Sequence, residues 1–218
     1  MLYWWTQIAT IPQKPGVYAW YYLPELTEFD LRDTVAKIQS FTDVNDKESA
    51  SEVVKDFLYT FVFQYFREEP YQAVLRGSLK PKYEGSIEHI PELSEDLVTR
   101  IVEDPNRIFT IKQVLEKSVP NFSSPLYIGM SENLNSRVGR HKKLIEKYYS
   151  QAAIQNIQYQ SLNETEDRDQ SFAMRVVSRK IQTTRLAVAI NVLEDVGKRY
   201  VDIENILNRI HYPLLGRN

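Results

Sequence analysis

The sequence contains no cysteine, and this absence excludes both disulfide bonds and thiolate metal sites. A chain without cysteine also suits a reducing compartment such as the cytoplasm. No run approaches the ~20 apolar residues that a membrane-spanning helix needs. The N-terminus has no basic flank ahead of an apolar stretch, so no secretory signal is expected. We therefore expect a cytoplasmic protein that makes no membrane contact.

The chain also lacks an overall positive charge, since its formal net charge is −2. The charge is unevenly distributed, however. Residues 124–218 carry 14 Lys or Arg and 10 Asp or Glu, whereas residues 1–123 carry 13 and 19. The net charges are therefore +4 and −6, and the C-terminal part is the better candidate for binding a polyanion. Its basic residues concentrate in 137–147 and 168–185, where solvated helix faces are the alternative interpretation.

Three segments are predicted to be core strands. Gly16–Tyr22 is rich in aromatic and β-branched residues and follows a Lys-Pro-Gly turn, and Leu126–Met130 is a shorter apolar stretch. Leu186–Leu193 is almost continuously apolar, as in a strand that is buried on both faces. Between and after these strands, helical periodicity predicts helices starting at Ser131, over 167–182 and over 200–210. In the last helix, the apolar stripe is expected to contain Ile203, Ile206 or Leu207, and Ile210.

The hundred residues after Pro24 follow a different pattern. Helical periodicity is present in 26–40, 51–66, 93–102 and 111–117, and a glycine- and proline-punctuated stretch at 71–90 predicts a hairpin. The sequence therefore predicts an α/β (α+β) protein with a three-stranded sheet flanked by helices. Residues 1–23 and 124–218 would form this core, and residues 24–123 a largely helical insertion.

Several residues with catalytic potential occur along the core segments, although each is weak evidence alone. Tyr18 and Tyr127 in strands are most often core tyrosines. His141 lies on an apolar helical stripe, and Arg137 lies one turn before it, so the two side chains adjoin. Glu204 lies at the edge of the apolar face of the last helix. Taken singly, these residues are typical of ordinary structural positions.

As an ordered set, the motifs resemble the GIY-YIG nuclease domain. The set comprises Gly16-Val-Tyr18, Tyr127-Ile-Gly129, Ser131-Glu-Asn-Leu134, Arg137, His141, Glu204-Asn-Ile-Leu207 and Asn218. The family includes homing endonucleases, the incision subunit of bacterial excision repair and some type II restriction enzymes. The Arg-x-x-x-His spacing looks most like the restriction enzymes. The chain departs from the family pattern in having Val17 for isoleucine, 108 residues between the two motif tyrosines, and a slightly longer approach to Asn218.

This resemblance implies hydrolysis of DNA phosphodiester bonds with Mg²⁺ or Mn²⁺. The implied catalytic residues are Tyr18, Tyr127, Arg137, His141, Glu204 and Asn218, with Glu204 as the metal ligand. One carboxylate is sufficient because Mg²⁺ keeps several of its waters. By resemblance, Tyr18 takes the proton from the attacking water, and His141 and Tyr127 bond to Tyr18 or to the phosphate. Arg137 grips the phosphate, and a nearby cation is expected to favour the phenolate of Tyr18.

DNA contacts are expected outside the catalytic residues as well. The basic residues considered are Arg76, Lys80 and Lys82 in the predicted hairpin and Arg140, Lys142 and Lys143 in the helix after Ser131. For the insertion, the alternative interpretations are a surface for a protein partner or a support for the core.

Three functions follow from these observations. The first is a DNA endonuclease, site-specific as in restriction or phage defence. The second is a structure-specific nuclease of repair or recombination. The third is a nucleic-acid-binding or scaffolding module that does not cleave, against which the joint presence of Tyr18, Tyr127, Arg137, His141 and Glu204 argues.

Overall fold

The core strands form where aromatic and β-branched residues concentrate, because such side chains pack well on a pleated surface. The computed structural model describes residues 1–67, 70–77, 80–88, 92–155, 168–193 and 200–215. The strands in chain order are β1 (Leu2–Trp4), β2 (Gly16–Tyr22), β3 (Tyr71–Gly77), β4 (Lys80–Ile87), β5 (Tyr127–Ser131) and β6 (Leu186–Val192). They form a four-stranded antiparallel sheet in the order β1-β6-β2-β5 and a separate hairpin of β3 and β4.

Helices supply most of the remaining structure. They are α1 (Glu28–Asp43), α2 (Lys47–Phe57), α3 (Glu95–Glu103), α4 (Arg107–Phe122), α5 (Leu134–Gln155), α6 (Arg168–Ser178) and α7 (Tyr200–His211), with 3₁₀ segments at Trp5–Thr10 and Thr183–Arg185 and a π-helix at Leu58–Phe63. A small antiparallel sheet flanked by helices confirms the predicted α/β class. Within the described ranges, no helix combines the length and apolar character required to cross a bilayer.

The sheet has one strand more than predicted. Leu2–Trp4 pairs with β6, with Tyr3 opposite Val188, and so occupies the edge of β6 that β2 leaves open. Three residues are too few to show the alternation of a strand, so the sequence alone does not predict β1. It is recognised as a strand only from its pairing with β6 in the structure.

The chain divides into two units. One unit consists of Met1–Glu25 and Gln113–Asn218, and the other of Leu26–Lys112. The sequence predicts boundaries at 23/24 and 123/124, whereas the second boundary in the structure falls within α4. The sheet, α5, α6 and α7 all belong to the first unit.

Strand alternation gives the sheet two different faces. Tyr18 and Trp20 of β2 share one face with Tyr127 of β5, because Trp20 lies directly opposite Tyr127 in the antiparallel register. Helices α5 and α6 contact each other and place His141 and Phe172 against this face. This aromatic face is the one that carries the predicted catalytic tyrosines.

Helix α7 is associated with the opposite face. Leu207 and His211 line a cavity of about 200 Å³ together with Val17, Ala19 and Asn191, which alternate away from Tyr18 and Trp20. Of the predicted apolar stripe of α7, Leu207 lines this cavity and Ile203 is half-buried, whereas Ile206 and Ile210 are 56% and 62% exposed. A broad apolar arc fits several rotations of a helix, and tertiary contacts select the rotation.

The start of α5 also differs from the prediction. Ser131 is the last residue of β5, and its hydroxyl accepts a hydrogen bond from the Asn133 amide. The side chain of Asn133 accepts the amide of Ser136 at 3.0 Å and so caps the first turn of α5. Serine and asparagine are both good N-caps. Because β5 extends to Ser131, the helix begins later and Asn133 is its cap.

The second unit contains α1, α2, α3 and the hairpin. Thr27 and Asp46 cap α1 and α2 by accepting backbone amides three residues later. The buried side chains include Leu31, Ile38, Val54, Phe57 and Ile101. In the hairpin, Leu75 lies directly opposite Tyr83 and both are largely exposed.

Candidate active site

Tyr18 and His141 form the centre of the site. The Tyr18 hydroxyl and His141 Nε2 lie 2.8 Å apart, although 123 positions separate the residues in sequence. Both side chains are buried, at 1% and 0% exposure. Tyr18 is held by β2 and His141 by α5, so the hydrogen bond ties the sheet to the helix that covers it.

An aromatic cluster surrounds this hydrogen bond. The Tyr127 ring stacks on Tyr18 with ring centroids 6.2 Å apart and lies 5.3 Å from the His141 ring. Phe172 of α6 contacts Tyr127, His141 and Trp20 at centroid distances of 4.8, 5.2 and 5.8 Å. These rings exclude water from one side of the Tyr18–His141 pair and fix the orientation of both side chains.

A buried carboxylate completes the site. Asp169 of α6 is fully buried, and its Oδ1 lies 2.8 Å from Arg137 Nη2 and 3.3 Å from His141 Nε2. Its Oδ2 lies 3.4 Å from Arg140 Nε. Burying a carboxylate is costly unless cations and donors surround it, and here two arginines do so.

Asp169 was not among the residues singled out from the sequence. The sequence does contain a signal for Asp169, because it recurs at helical spacing with the apolar residues Phe172, Ala173 and Val176. All four residues are buried in the structure. A carboxylate in phase with an apolar stripe indicates a buried charge that needs partners. The preceding charged residues, Asp167 and Arg168, make this stretch look like a solvated surface instead.

Tyr18 is a neutral phenol in this environment. Burial raises the pKa of Tyr18 well above its usual value, and Tyr127 and Asp169 act in the same direction. Arg137 lowers this pKa through its charge and a hydrogen bond, but the net shift is upward. Arg137 therefore favours the phenolate, as expected of a nearby cation, but the cost of desolvation outweighs this attraction.

Arg137 is a permanent cation. Burial opposes its charge, but the hydrogen bond with Tyr18 and the negative charge of Asp169 outweigh burial, so the pKa of Arg137 is raised. Its side chain keeps 33% exposure while one edge contacts Asp169. A guanidinium presents several N–H donors in one plane, so the exposed part is able to bind an anion such as a phosphate.

Gly129 is required by the packing of Tyr18. A Cβ atom at this position would lie 2.5 Å from the Tyr18 hydroxyl oxygen and 2.8 Å from Tyr127 Cε1. Because Gly129 has no side chain, it leaves the space that the ring of Tyr18 occupies.

We expect Gly129→Ala to destabilise the protein by about 1–3 kcal/mol, the usual cost of overpacking a core. The matched control is Gly139→Ala in α5, where an added Cβ meets no atom within 4 Å. That variant should gain about 0.5–1 kcal/mol from reduced backbone freedom. Urea unfolding of both variants measures the difference, and equal stabilities would contradict the close packing of Gly129 on Tyr18.

The basic residues of α5 differ in their surroundings. Arg140 is 52% exposed while its Nε approaches Asp169. Lys143 is exposed. Lys142 donates to the Trp5 carbonyl at 3.3 Å and lies 5.3 Å above the Trp5 ring, so its ammonium group already has protein partners. Arg140 and Lys143 are therefore the more accessible members of this group.

The remaining predicted residues lie apart from this cluster. Glu204 is half-buried on α7, a helix that contacts β5 and β2. Arg76 belongs to β3, and Lys80 and Lys82 to β4, but their side chains lie outside the part of the chain that the structure describes. Asn218 also lies outside the described residues. The residues that the structure brings together are Tyr18, Tyr127, Arg137 and His141, with Asp169 added.

A divalent cation fits only part of this donor set. Among the described residues, no group of three or more His, Asp or Glu side chains converges. Asp169 is fully buried between two arginines, so it is not a suitable metal ligand. Glu204 offers a partly accessible carboxylate, and Mg²⁺ that keeps most of its waters needs only one or two. Glu204 therefore fits the minimum requirement for Mg²⁺ or Mn²⁺.

Comparisons of the chain with models of known protein families, with curated proteins and with solved structures give no match. A function must therefore be inferred from these residues and their geometry.

Proposed function

We propose that this protein is a metal-dependent endonuclease of the GIY-YIG type that hydrolyses DNA phosphodiester bonds. The observation that supports it is the convergence of Tyr18, Tyr127, Arg137 and His141, which come from β2, β5 and α5. Packing of a hydrophobic core does not by itself require a phenol, an imidazole and a half-exposed guanidinium to lie around one point. These are the groups that proton transfer next to a phosphate requires.

The attacking water loses its proton to Tyr18 in the proposed reaction. Because Tyr18 is neutral, its own proton must leave as the new one arrives, and His141 Nε2 at 2.8 Å is positioned to take it. This requires the neutral His141 tautomer that carries its proton on Nδ1. Tyr18 and His141 thus act as a relay in which neither group has to be ionised beforehand.

Arg137 holds the phosphate and offsets the charge that develops on it. Its contact with Asp169 fixes the guanidinium plane, and its exposed edge remains available for phosphate oxygens. Glu204 would hold the divalent cation, which supplies charge neutralisation at the phosphate and at the leaving oxygen when it is bound. Asn218, the last residue of the resemblance, is proposed to support this site.

Arg140 and Lys143 extend the positive surface along α5, and we propose that they contact neighbouring phosphates of DNA. Lys142 is proposed as a weaker contributor because the Trp5 carbonyl and ring already occupy its ammonium group. An enzyme that acts on DNA in this way is expected in the cytoplasm, in agreement with the absence of cysteine.

The decisive experiment is incubation of the protein with plasmid, branched and single-stranded DNA in the presence of Mg²⁺ or Mn²⁺, followed by mapping of the ends. Discrete cuts in plasmid DNA would support a site-specific enzyme of restriction or phage defence. Preferential cutting of branched DNA would favour a repair or recombination nuclease. Binding of all substrates without any cleavage would leave the non-cleaving module as the function.

The β3–β4 hairpin is proposed to contact DNA through Arg76, Lys80 and Lys82. Replacing the three residues with alanine should weaken DNA binding and reduce the slope of log affinity against log salt by about 0.9 for each lost duplex phosphate contact. Binding measured by fluorescence anisotropy over a range of salt concentrations gives this slope.

The control for the hairpin variant removes two lysines of the same unit, Lys37 and Lys55, each already paired with an acidic neighbour on its helix. If the hairpin variant and the control bind DNA equally at every salt concentration, the hairpin is not part of the DNA interface. The exposed pair of Leu75 and Tyr83 would then favour a protein partner for the insertion.

A further inference from the structure

Asp169 occupies a position that the proposed relay does not yet use. It is fully buried on a helix face otherwise made of Phe172, Ala173 and Val176, where an apolar residue would be the ordinary choice. We propose that Asp169 is the positioning residue of the site: it fixes Arg137 against the phosphate and stabilises the imidazolium that forms when His141 takes the proton of Tyr18. This inference rests on the proposed nuclease function and assigns a role to a residue outside the motif set.

The geometry supports both parts of this role. Asp169 Oδ1 lies 2.8 Å from Arg137 Nη2 and 3.3 Å from His141 Nε2, so one oxygen contacts both groups. Asp169 Oδ2 lies 3.4 Å from Arg140 Nε. Arg137 and Arg140 are three residues apart on α5, and a single carboxylate therefore holds two neighbouring guanidinium groups.

The proton transfer shows why a charged residue is needed. The O–H bond of Tyr18 breaks and an N–H bond forms at His141 Nε2, while the attacking water passes a proton to the Tyr18 oxygen. The resulting hydroxide forms the new P–O bond, and the P–O bond to the leaving oxygen breaks. The positive charge that appears on His141 lies 3.3 Å from Asp169, which balances it without accepting the proton.

The test compares Asp169→Asn with Glu25→Gln. The asparagine keeps the shape but removes the charge, and Glu25 forms a 2.7 Å ion pair with Arg185 in the same unit without contacting Tyr18. We expect kcat of Asp169→Asn to fall by roughly 10²-fold, as for other small displacements of reacting groups. Its affinity for DNA in chelator should change much less than kcat, because a less firmly held Arg137 weakens the phosphate contact while the loss of a nearby negative charge strengthens it. Glu25→Gln should keep wild-type kcat.

A purely structural Asp169 would give a different result. Turnover and DNA affinity would then fall together, in proportion to the folded fraction, and both would recover on cooling. That outcome, or a wild-type kcat in Asp169→Asn, overturns the proposal.

The relay also predicts non-additivity. Introduced into Tyr18→Phe, which has no proton to pass to His141, Asp169→Asn should lower kcat by much less than in the wild type. A reduction of the same factor in both backgrounds means that Asp169 does not act through the relay and contradicts the proposal.

A second measurement is independent of cleavage. The charged or titratable groups that face Tyr18 are Tyr127, Arg137, His141 and Asp169. Asp169 raises the pKa of Tyr18, so we expect Tyr18 to ionise at lower pH in the Asp169→Asn variant. NMR of ring-labelled tyrosine follows this ionisation, and the Tyr18→Phe variant identifies the signal of Tyr18. If no DNA is cleaved but this shift occurs, the nuclease function fails while the coupling of Asp169 to Tyr18 stands. An unchanged Tyr18 titration overturns the coupling even in an active nuclease.

If Asp169→Asn does not fold, Asp169→Glu carries the test, since it keeps the charge but moves it by one methylene. We expect this variant to lose kcat while Tyr18 ionises near its wild-type pH. Wild-type kcat in Asp169→Glu would contradict a positioning role.

Discussion

Replacing Glu204 with alanine is expected to abolish the proposed Mg²⁺-dependent cleavage while the fold and DNA binding persist. Glu204 is half-buried on α7, so its side chain is not part of the sealed core, and its loss should cost little stability. Asp169 cannot replace it because two arginines surround that carboxylate. Binding of DNA in chelator should hold or tighten, since the substitution removes a negative charge from the protein and DNA is a polyanion.

The measurement pairs DNA binding in chelator with cleavage in Mg²⁺, and the control is Asp202→Ala, an exposed carboxylate on the same helix. This control is needed because Leu207 and His211 of α7 lie over the sheet face opposite to Tyr18. Wild-type cleavage by Glu204→Ala, or equal losses in both variants, would remove Glu204 as the metal ligand and the single-glutamate mechanism with it.

The second large effect is expected for Tyr18→Phe, which should lower turnover by roughly 10²–10⁴-fold, the usual contribution of a positioned acid or base. The ring stays in its aromatic cluster, so the change removes the hydroxyl together with its hydrogen bonds to His141 and Arg137. DNA affinity should remain near the wild-type value, because Arg137 and the basic residues of α5 are unchanged. Single-turnover cleavage and anisotropy binding separate the two quantities.

Tyr127→Phe is the matched control for Tyr18→Phe. Tyr127 stacks on Tyr18 and is also buried, and the variant likewise removes one phenolic hydroxyl from the cluster. We expect a smaller loss of turnover, since the hydroxyl of Tyr18 is the one bonded to His141. A larger loss in Tyr127→Phe than in Tyr18→Phe would transfer the role of base to Tyr127.

Much of the fold could be predicted from local sequence patterns. The strand Gly16–Tyr22 has the bounds that its composition predicts, and β5 and β6 differ from their predicted bounds by one residue at most. These strands are predictable because short, continuous runs of apolar and β-branched residues are compatible with few structures other than a buried strand. The exposure of Ile206 and Ile210 on α7 and the cap of α5 differ from the prediction because several choices satisfy the same local pattern.

The candidate site divides in the same way. The sequence by itself predicted Tyr18, Tyr127, Arg137, His141, Glu204 and Asn218 as a set, through the resemblance of its ordered motifs to the GIY-YIG domain. Only the tertiary structure decided that Asp169 joins them and that burial keeps Tyr18 neutral despite the adjacent Arg137. The position of Asp169 and the neutral state of Tyr18 both depend on distances between α5, α6 and β2. These distances and the loss of water set the electrostatic cost of a buried charge, and the spacing of residues along the chain does not contain either quantity.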